Sequence, residues 1–342
     1  MIRPPFSFRP RPKDCRLLAL CCLLSSAAHA AGSTAPTQLI PFDAGFLNPL
    51  TQIYGVNTPA IPRVLPAGAW EIQLQQEIAN SYSIQRDGDE LALIDGELWR
   101  TSLGLGYQLA PAWRVDLRLP YIRHTGGMLD GLISDWHDGL SLPNGDRELR
   151  PQDKLEYRYL NDELVLRHGS EGGGLGDLRL ATSYVQQREG ADLMLSATLK
   201  LPTGDSDELR GSGATDISLS AAFSDASSLT TGDVRWFGGV GLNYLGDSDL
   251  PLARKQRNWV WTTRLGGGWQ FHPAWQFKAQ LDHHSSVYHS RTRALGDAGF
   301  QLTAGVSWQA TEELQLDLAL SEDLATTVTP DISLLLAMNC LL

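Results

Sequence analysis

Two short stretches of the sequence put a histidine two positions before a serine. His168-Gly169-Ser170 is one, and His283-His284-Ser285-Ser286 contains the spacing twice. On a strand, residues i and i+2 share a face, so the imidazole stands beside the hydroxyl, the minimum geometry for activating a serine nucleophile. The surroundings weaken that chemistry. Glu171 follows the first serine, Gly172-Gly173-Gly174 reads as a turn, and no asparagine on the next strand is placed to orient the base. His283, His284 and His289 make a poor metal set, because adjacent strand residues point to opposite faces. His137, between Asp135 and Asp138, reads as a solvated side chain. No cofactor and no metal is expected.

The larger chemical resource is charge on one face of alternating segments. Arg100, Arg114, Asp116, Arg118, Asp177, Arg179, Lys200, Asp216, Arg235, Arg264, Lys278, Asp282 and Asp317, with Glu71 and Glu77, all fall on polar faces. Mixed and interspersed signs fit two arrangements. One is a polar conduit whose charged wall selects small solutes; the other is a set of cross-wall ion pairs that fills a narrow interior.

The elements that position these charges follow from a period of two. From Trp113 to Tyr121 the odd positions read Trp, Val, Leu, Leu, Tyr, and the even ones Arg114, Asp116, Arg118 and Pro120. Trp275–His283, Phe300–Trp308 and Leu314–Leu320 repeat the pattern. Each segment therefore has an apolar face and a wet face. Similar runs start near Trp70, Trp99, Asp177, Asp192, Asp216, Trp236, Trp259 and Ile332, which makes about twelve strands of the length that spans an outer membrane.

The connections alternate between short and long. Ala110-Pro111-Ala112, Arg188-Glu189-Gly190, His272-Pro273-Ala274 and Ala310-Thr311-Glu312 are short, and Ser224–Gly232 is somewhat longer. The long ones include 125–164, 204–213, 245–256 and 290–296. The fold expected is all-β: one transmembrane antiparallel β-barrel over 69–342, with short periplasmic turns and longer extracellular loops. Trp70, Trp113, Trp269, Trp275 and Trp308 lie by the short turns, and Trp99, Tyr121, Tyr244 and Trp259 near the long loops, as two interfacial belts would require. A soluble sandwich has shorter strands and no need of alternating turn lengths, and no blade-length repeat suggests a propeller.

Residues 1–30 read as a signal peptide. Arg3, Arg9, Arg11, Lys13 and Arg16 precede an apolar run from Leu17 to Leu24, and Ala28-His29-Ala30 supplies the cleavage site. The run is too short for a spanning helix of roughly 20 residues, and Leu20 before Cys21 does not suit a lipoprotein. Removing five basic residues and Asp14 takes the formal charge from −11 to −15, which argues against nucleic acid as a partner. Three of the four cysteines leave as well, so Cys340 has no partner for an internal disulfide.

Two regions stand apart from the barrel pattern. Residues 31–68 are rich in Pro, Thr and Asn yet carry Phe46-Leu47-Asn48-Pro49-Leu50 and Tyr54-Gly55. Such apolar anchors suggest a plug folded into the periplasmic mouth. In Thr125–Arg150, Met128, Leu129, Leu132, Ile133 and Trp136 recur at helical spacing, as in a short amphipathic helix over the outer mouth or folded into it.

Several motifs in fixed order carry a family resemblance. They are Asn48-Pro49 with Tyr54-Gly55, Asp95-Gly96-Glu97 with Arg100, Asp135-Trp136-His137 leading to Leu142-Pro143-Asn144-Gly145, and Leu201-Pro202-Thr203-Gly204 before Gly211-Ser212-Gly213. The order resembles an uncharacterised family of outer-membrane β-barrels known only as a domain of unknown function. Leu201–Gly204, Ser321-Glu322-Asp323 and Thr329-Pro330-Asp331 also resemble barrels assigned to transport in aromatic-degradation pathways. The resemblance implies an outer-membrane barrel in contact with lipid, assembled by the barrel-assembly machinery, and carries no proven activity; the function expected is passive passage of a small solute, or a structural role in that membrane. The His-x-Ser pair at 168–170 resembles that of outer-membrane phospholipase barrels, which implies lipid hydrolysis as the alternative. The chain ends Cys340-Leu341-Leu342 where such barrels usually end on an aromatic residue.

Overall fold

The structure is a computed structural model that describes residues 39–129, 131, 151–225, 231–324 and 328–342. The leader, most of the 125–150 segment and His137 lie outside those residues.

Among the described residues, fifteen strands form one sheet. They are β1 (Trp70–Asp87), β2 (Glu90–Ala110), β3 (Trp113–Thr125), β4 (Glu156–Leu160), β5 (Val165–His168), β6 (Gly172–Leu175), β7 (Leu178–Gln186) and β8 (Ala191–Leu201). Then come β9 (Asp216–Asp225), β10 (Val234–Tyr244), β11 (Trp259–His272), β12 (Trp275–His284), β13 (Gly299–Gln309), β14 (Leu314–Asp323) and β15 (Ile332–Leu341). Twelve of them, all but β4, β5 and β6, close an antiparallel ring in which β1 pairs with both β2 and β15. Closure pairs Glu71 with Leu341 and Asn80 with Ile332, and Trp70 and Leu342 exchange backbone hydrogen bonds of 3.1 and 2.8 Å. The final residue is thus part of the seam although it is not aromatic. A closed ring leaves no strand edge, which is what hydrocarbon surroundings demand of a backbone.

The apolar faces point outward. Leu103, Val115, Leu219, Leu242, Leu265 and Leu318 are exposed on the wall. Trp70, Trp113, Trp236, Trp269, Trp275 and Trp308 ring the turn end, with Trp275 stacked on Trp308 at 5.7 Å. Tyr121, Tyr244 and Trp259 mark the loop end, where the Tyr244 and Trp259 rings meet at 5.1 Å. Amphipathic rings at both rims fit the two membrane–water interfaces.

The second strand begins earlier than its alternation suggests, at Glu90 rather than near Trp99. Leu91-Ala92-Leu93-Ile94 is a continuous apolar run because both of its faces are largely covered there, so the period of two disappears. Strands β1 and β2, 18 and 21 residues long, exceed the roughly 9–11 residues a bilayer requires, and their tip stands beyond the wall. Gly88, at φ +60°, turns the chain in this tip. Strand β4 pairs with residues 91–95 of β2, and β5 pairs with β4, so part of the expected 125–164 loop is a sheet extension.

Residues 39–68 thread the lumen. They do not stop at the mouth. Leu39 lies against Gly268 near the turn end. Phe42 exchanges two hydrogen bonds with the Gln280 amide, at 2.9 and 3.0 Å. The chain reverses at Asn48–Tyr54 near the loop end, where Asn48 accepts from Leu50 N and donates to Val328 O. It then descends past Gly55, Asn57 and Pro59 to Arg63, which pairs with Glu71 beside the start of β1. Glycines on the inner wall make room for it, since a side chain at Gly239 would meet Pro59 at 2.7 Å.

Candidate functional site: the lumen

Strand alternation turns the polar face of each strand inward, and the charges there meet partners of two kinds. The first kind is another wall residue. Arg100 pairs with Glu77 at 2.5 Å, Arg264 with Asp282 at 2.6 Å and Lys278 with Asp317 at 3.2 Å. Arg114 reaches Glu71 and Asp116, each at 2.6 Å. Lys200 is almost fully buried between Asp177 at 2.7 Å and Asp216 at 3.1 Å. Asp317 also accepts from Ser307 and Gln315. Arg235 sits at the turn end with Asp225 and Asp233.

The second kind of partner is the backbone of the threaded segment. Four wall cations donate to its carbonyls: Lys278 to Ile40 at 2.6 Å, Lys200 to Ile53 at 3.3 Å, Arg179 to Tyr54 at 3.3 Å and Arg264 to Pro59 at 3.4 Å. Wall acceptors take its amides in return, Glu77 from Gly45 at 3.1 Å and Asp216 from Gly55 at 2.6 Å. Asp43 of the segment pairs with Arg118. An extended chain in a lumen has no strand partner for its main chain, and these side chains supply one. Sequence reasoning could place the charges on the inner face but had no means to find main-chain acceptors 125 to 238 residues away.

The loop end is closed by apolar packing. Leu50, Ile53 and Tyr54 of the segment join Tyr157, Tyr159, Leu245, Tyr288 and Leu295 in one buried cluster. The Tyr288 hydroxyl donates to Leu50 O at 2.6 Å, and Tyr54 and Tyr288 meet edge to face at 5.9 Å. Burial holds the Tyr54 hydroxyl up at about 12 and pushes Tyr288 well above the ordinary tyrosine range, so both stay neutral. The β1–β2 tip is tied to this cap through Glu90, which accepts from Lys255 at 3.0 Å, Ser290 at 2.6 Å and Arg291 N at 2.8 Å. Burial alone would raise the Glu90 carboxyl, but these three partners together bring it below the ordinary value.

Two cavities remain beside the segment. The larger, about 260 Å³, lies in the half nearer the short turns, and a smaller one of about 60 Å³ lies toward the loops. Asp43, Asn57, Thr58, Arg118 and Arg179 line both.

The histidine–serine pairs take other positions. His168 lies on the sheet extension, its ring stacked on Tyr157 at 5.9 Å and edge-on to His124 at 5.4 Å. His284 is buried against Phe46 at 4.4 Å with Nδ1 on Ser285 O. His283 faces the other way, between Trp261 and Phe300.

The closed twelve-strand ring, outward apolar wall and paired aromatic rims define an outer-membrane β-barrel protein. A family described as "Protein of unknown function (DUF3187)" matches residues 15–341, and the chain belongs to that family. A comparison with curated proteins finds no match. Among solved structures, the chain is similar to the COG4313 outer membrane channel from Pseudomonas putida F1, with a TM-score of 0.54 and 16% identity over 81% of this chain and 97% of that one. It is also similar to the toluene transporter TbuX of Ralstonia pickettii, with a TM-score of 0.40 and 10% identity over 89% and 95% of the two chains. These likenesses concern the fold.

Proposed function

We propose that the protein is a plugged conduit for passive passage of a small solute across the outer membrane, with residues 39–68 as the plug. The observation that carries this reading is that wall charges hold the segment by its backbone while two cavities bordered by charged side chains persist beside it. A lumen filled for stability alone is more cheaply packed with side chains, as in small barrels. Ligands held through main-chain carbonyls can also be released without breaking a wall ion pair, since Lys200, Lys278 and Arg264 each keep a carboxylate. The outer-membrane channel fold noted above agrees with this role.

Lipid hydrolysis finds no support at His168, whose ring is packed against His124 and Tyr157 on the sheet extension rather than on the lipid-facing wall. The test of the conduit is conductance of the refolded mature chain in a planar bilayer, with and without residues 31–67. Steady current that rises on deletion supports the reading. A folded barrel that stays silent in both forms removes it.

A further inference from the structure

Arg118, Arg179 and Lys200 stand directly opposite one another in register across the adjacent strands β3, β7 and β8. Like charges facing each other across strands repel, so such a row requires counter-charges. Lys200 has Asp177 and Asp216, and Arg118 has Asp43. Arg179, the middle member, has only neutral partners: Nη1 donates to Asn57 Oδ1 at 2.9 Å and Nη2 to Tyr54 O at 3.3 Å. Its Nε is buried and donates to nothing. Among the described lumenal arginines named above, every other guanidinium has a carboxylate. No carboxylate lies within ion-pair distance of this half-buried guanidinium, on which Asp43 and Asp177 act only from further off, and it borders both cavities.

We propose that this vacancy in the charge pattern is a binding site for a small organic monocarboxylate, seated at Arg179 in the larger cavity. The cavity contains five arginines against three carboxylates in a protein of net negative charge, so its local excess is positive. A planar guanidinium suits a carboxylate through two parallel hydrogen bonds. Ile40, Ile61 and Met194 line the same cavity and give an apolar body a surface to lie on. The volume of about 260 Å³ limits that body to a small molecule.

This inference rests on the reading of the lumen as a solute path, but its test needs no current. Butyrate, butyramide and butylammonium, nearly equal in shape, are titrated calorimetrically into the refolded mature protein at pH 7 and low ionic strength. Saturable binding of butyrate at least tenfold tighter than that of the amide, with none for the ammonium, is the expected result. Arg179→Gln should lose butyrate binding at least tenfold, and Arg179→Lys, which keeps the charge but not the paired donors, should fall between that variant and wild type. Equal binding of butyrate and butyramide, or no butyrate binding to the wild-type chain, would overturn the site, and neither outcome depends on how a variant folds. Butyrate binding in a barrel that never conducts keeps the site and removes the conduit. A conducting barrel that ignores butyrate does the reverse.

Discussion

At the loop end the threaded segment is held by apolar packing, whereas lower down it is held by charges on the wall. Leu50 and Tyr54 are buried among tyrosines and leucines that exclude water. Ile40 and Pro59 sit against lysine and arginine heads beside water-sized space. The two attachments differ in how they can be undone. Apolar contacts are non-directional and are lost only when the whole cap separates. A cation-to-carbonyl bond can exchange for water or an anion one at a time. On the proposed reading, the lower half is where a solute acts on the segment and the upper half is where the barrel is sealed.

The sharpest way to break this contrast is at the boundary between the halves. Lys200→Ala leaves Asp177 and Asp216 buried together without their cation, and removing one member of a buried ion group costs about 3–5 kcal/mol. Urea unfolding of the detergent-refolded variant should show the full loss. Leu50→Ala comes next, at about 3 kcal/mol for a buried leucine truncation, and should also raise proteolysis of the outer loops. Tyr288→Phe keeps the ring and removes the hydroxyl that bonds Leu50 O and the Tyr54 hydroxyl, for about 1–2 kcal/mol.

A smaller effect sharpens the contrast through pH. Glu90 lies nine residues beyond Trp99, roughly 30 Å along the strand at 3.3 Å per residue, and so stands outside the membrane. Its carboxyl titrates below the ordinary glutamate value in the folded protein. The stabilisation it provides is complete above that ordinary value and is lost as pH falls through the lowered folded one. Hydrogen exchange in residues 245–258 and 285–298 should therefore quicken in Glu90→Gln at pH 7, and the difference from wild type should vanish in acid. The smallest effect is expected from Ser170→Ala, which should leave phospholipid cleavage unchanged from the wild-type level.

Much of the wall was legible in the sequence because a strand exposed to lipid on one side and water on the other must alternate. Trp113–Tyr121 and Trp275–His283 show this directly. The alternation failed where both faces are covered, as at Leu91–Ile94, whereas Leu155, Tyr157 and Tyr159 alternate with Glu156 and Arg158 and mark β4 inside the long loop. The thirteen candidate charges are strand residues except Asp177, which sits between β6 and β7. Their partners were not legible. Arg264 and Arg179 bind carbonyls of Pro59 and Tyr54, and a carbonyl leaves no mark in the sequence. The apolar residues of 46–54 signalled that the segment is buried but not that it reaches the loop end.

On the proposed reading, the segment between Gly55 and Pro59 must move for the lumen to conduct. Asn57 Nδ2 and Ser218 Oγ lie 3.0 Å apart, which makes Asn57→Cys with Ser218→Cys a lock between segment and wall, in a Cys340→Ser background. The measurement is single-channel conductance of that protein in a planar bilayer, before and after addition of dithiothreitol. The account predicts silence while the disulfide is closed and open events once it is reduced. The same conductance in both states, whether open or silent, would contradict it.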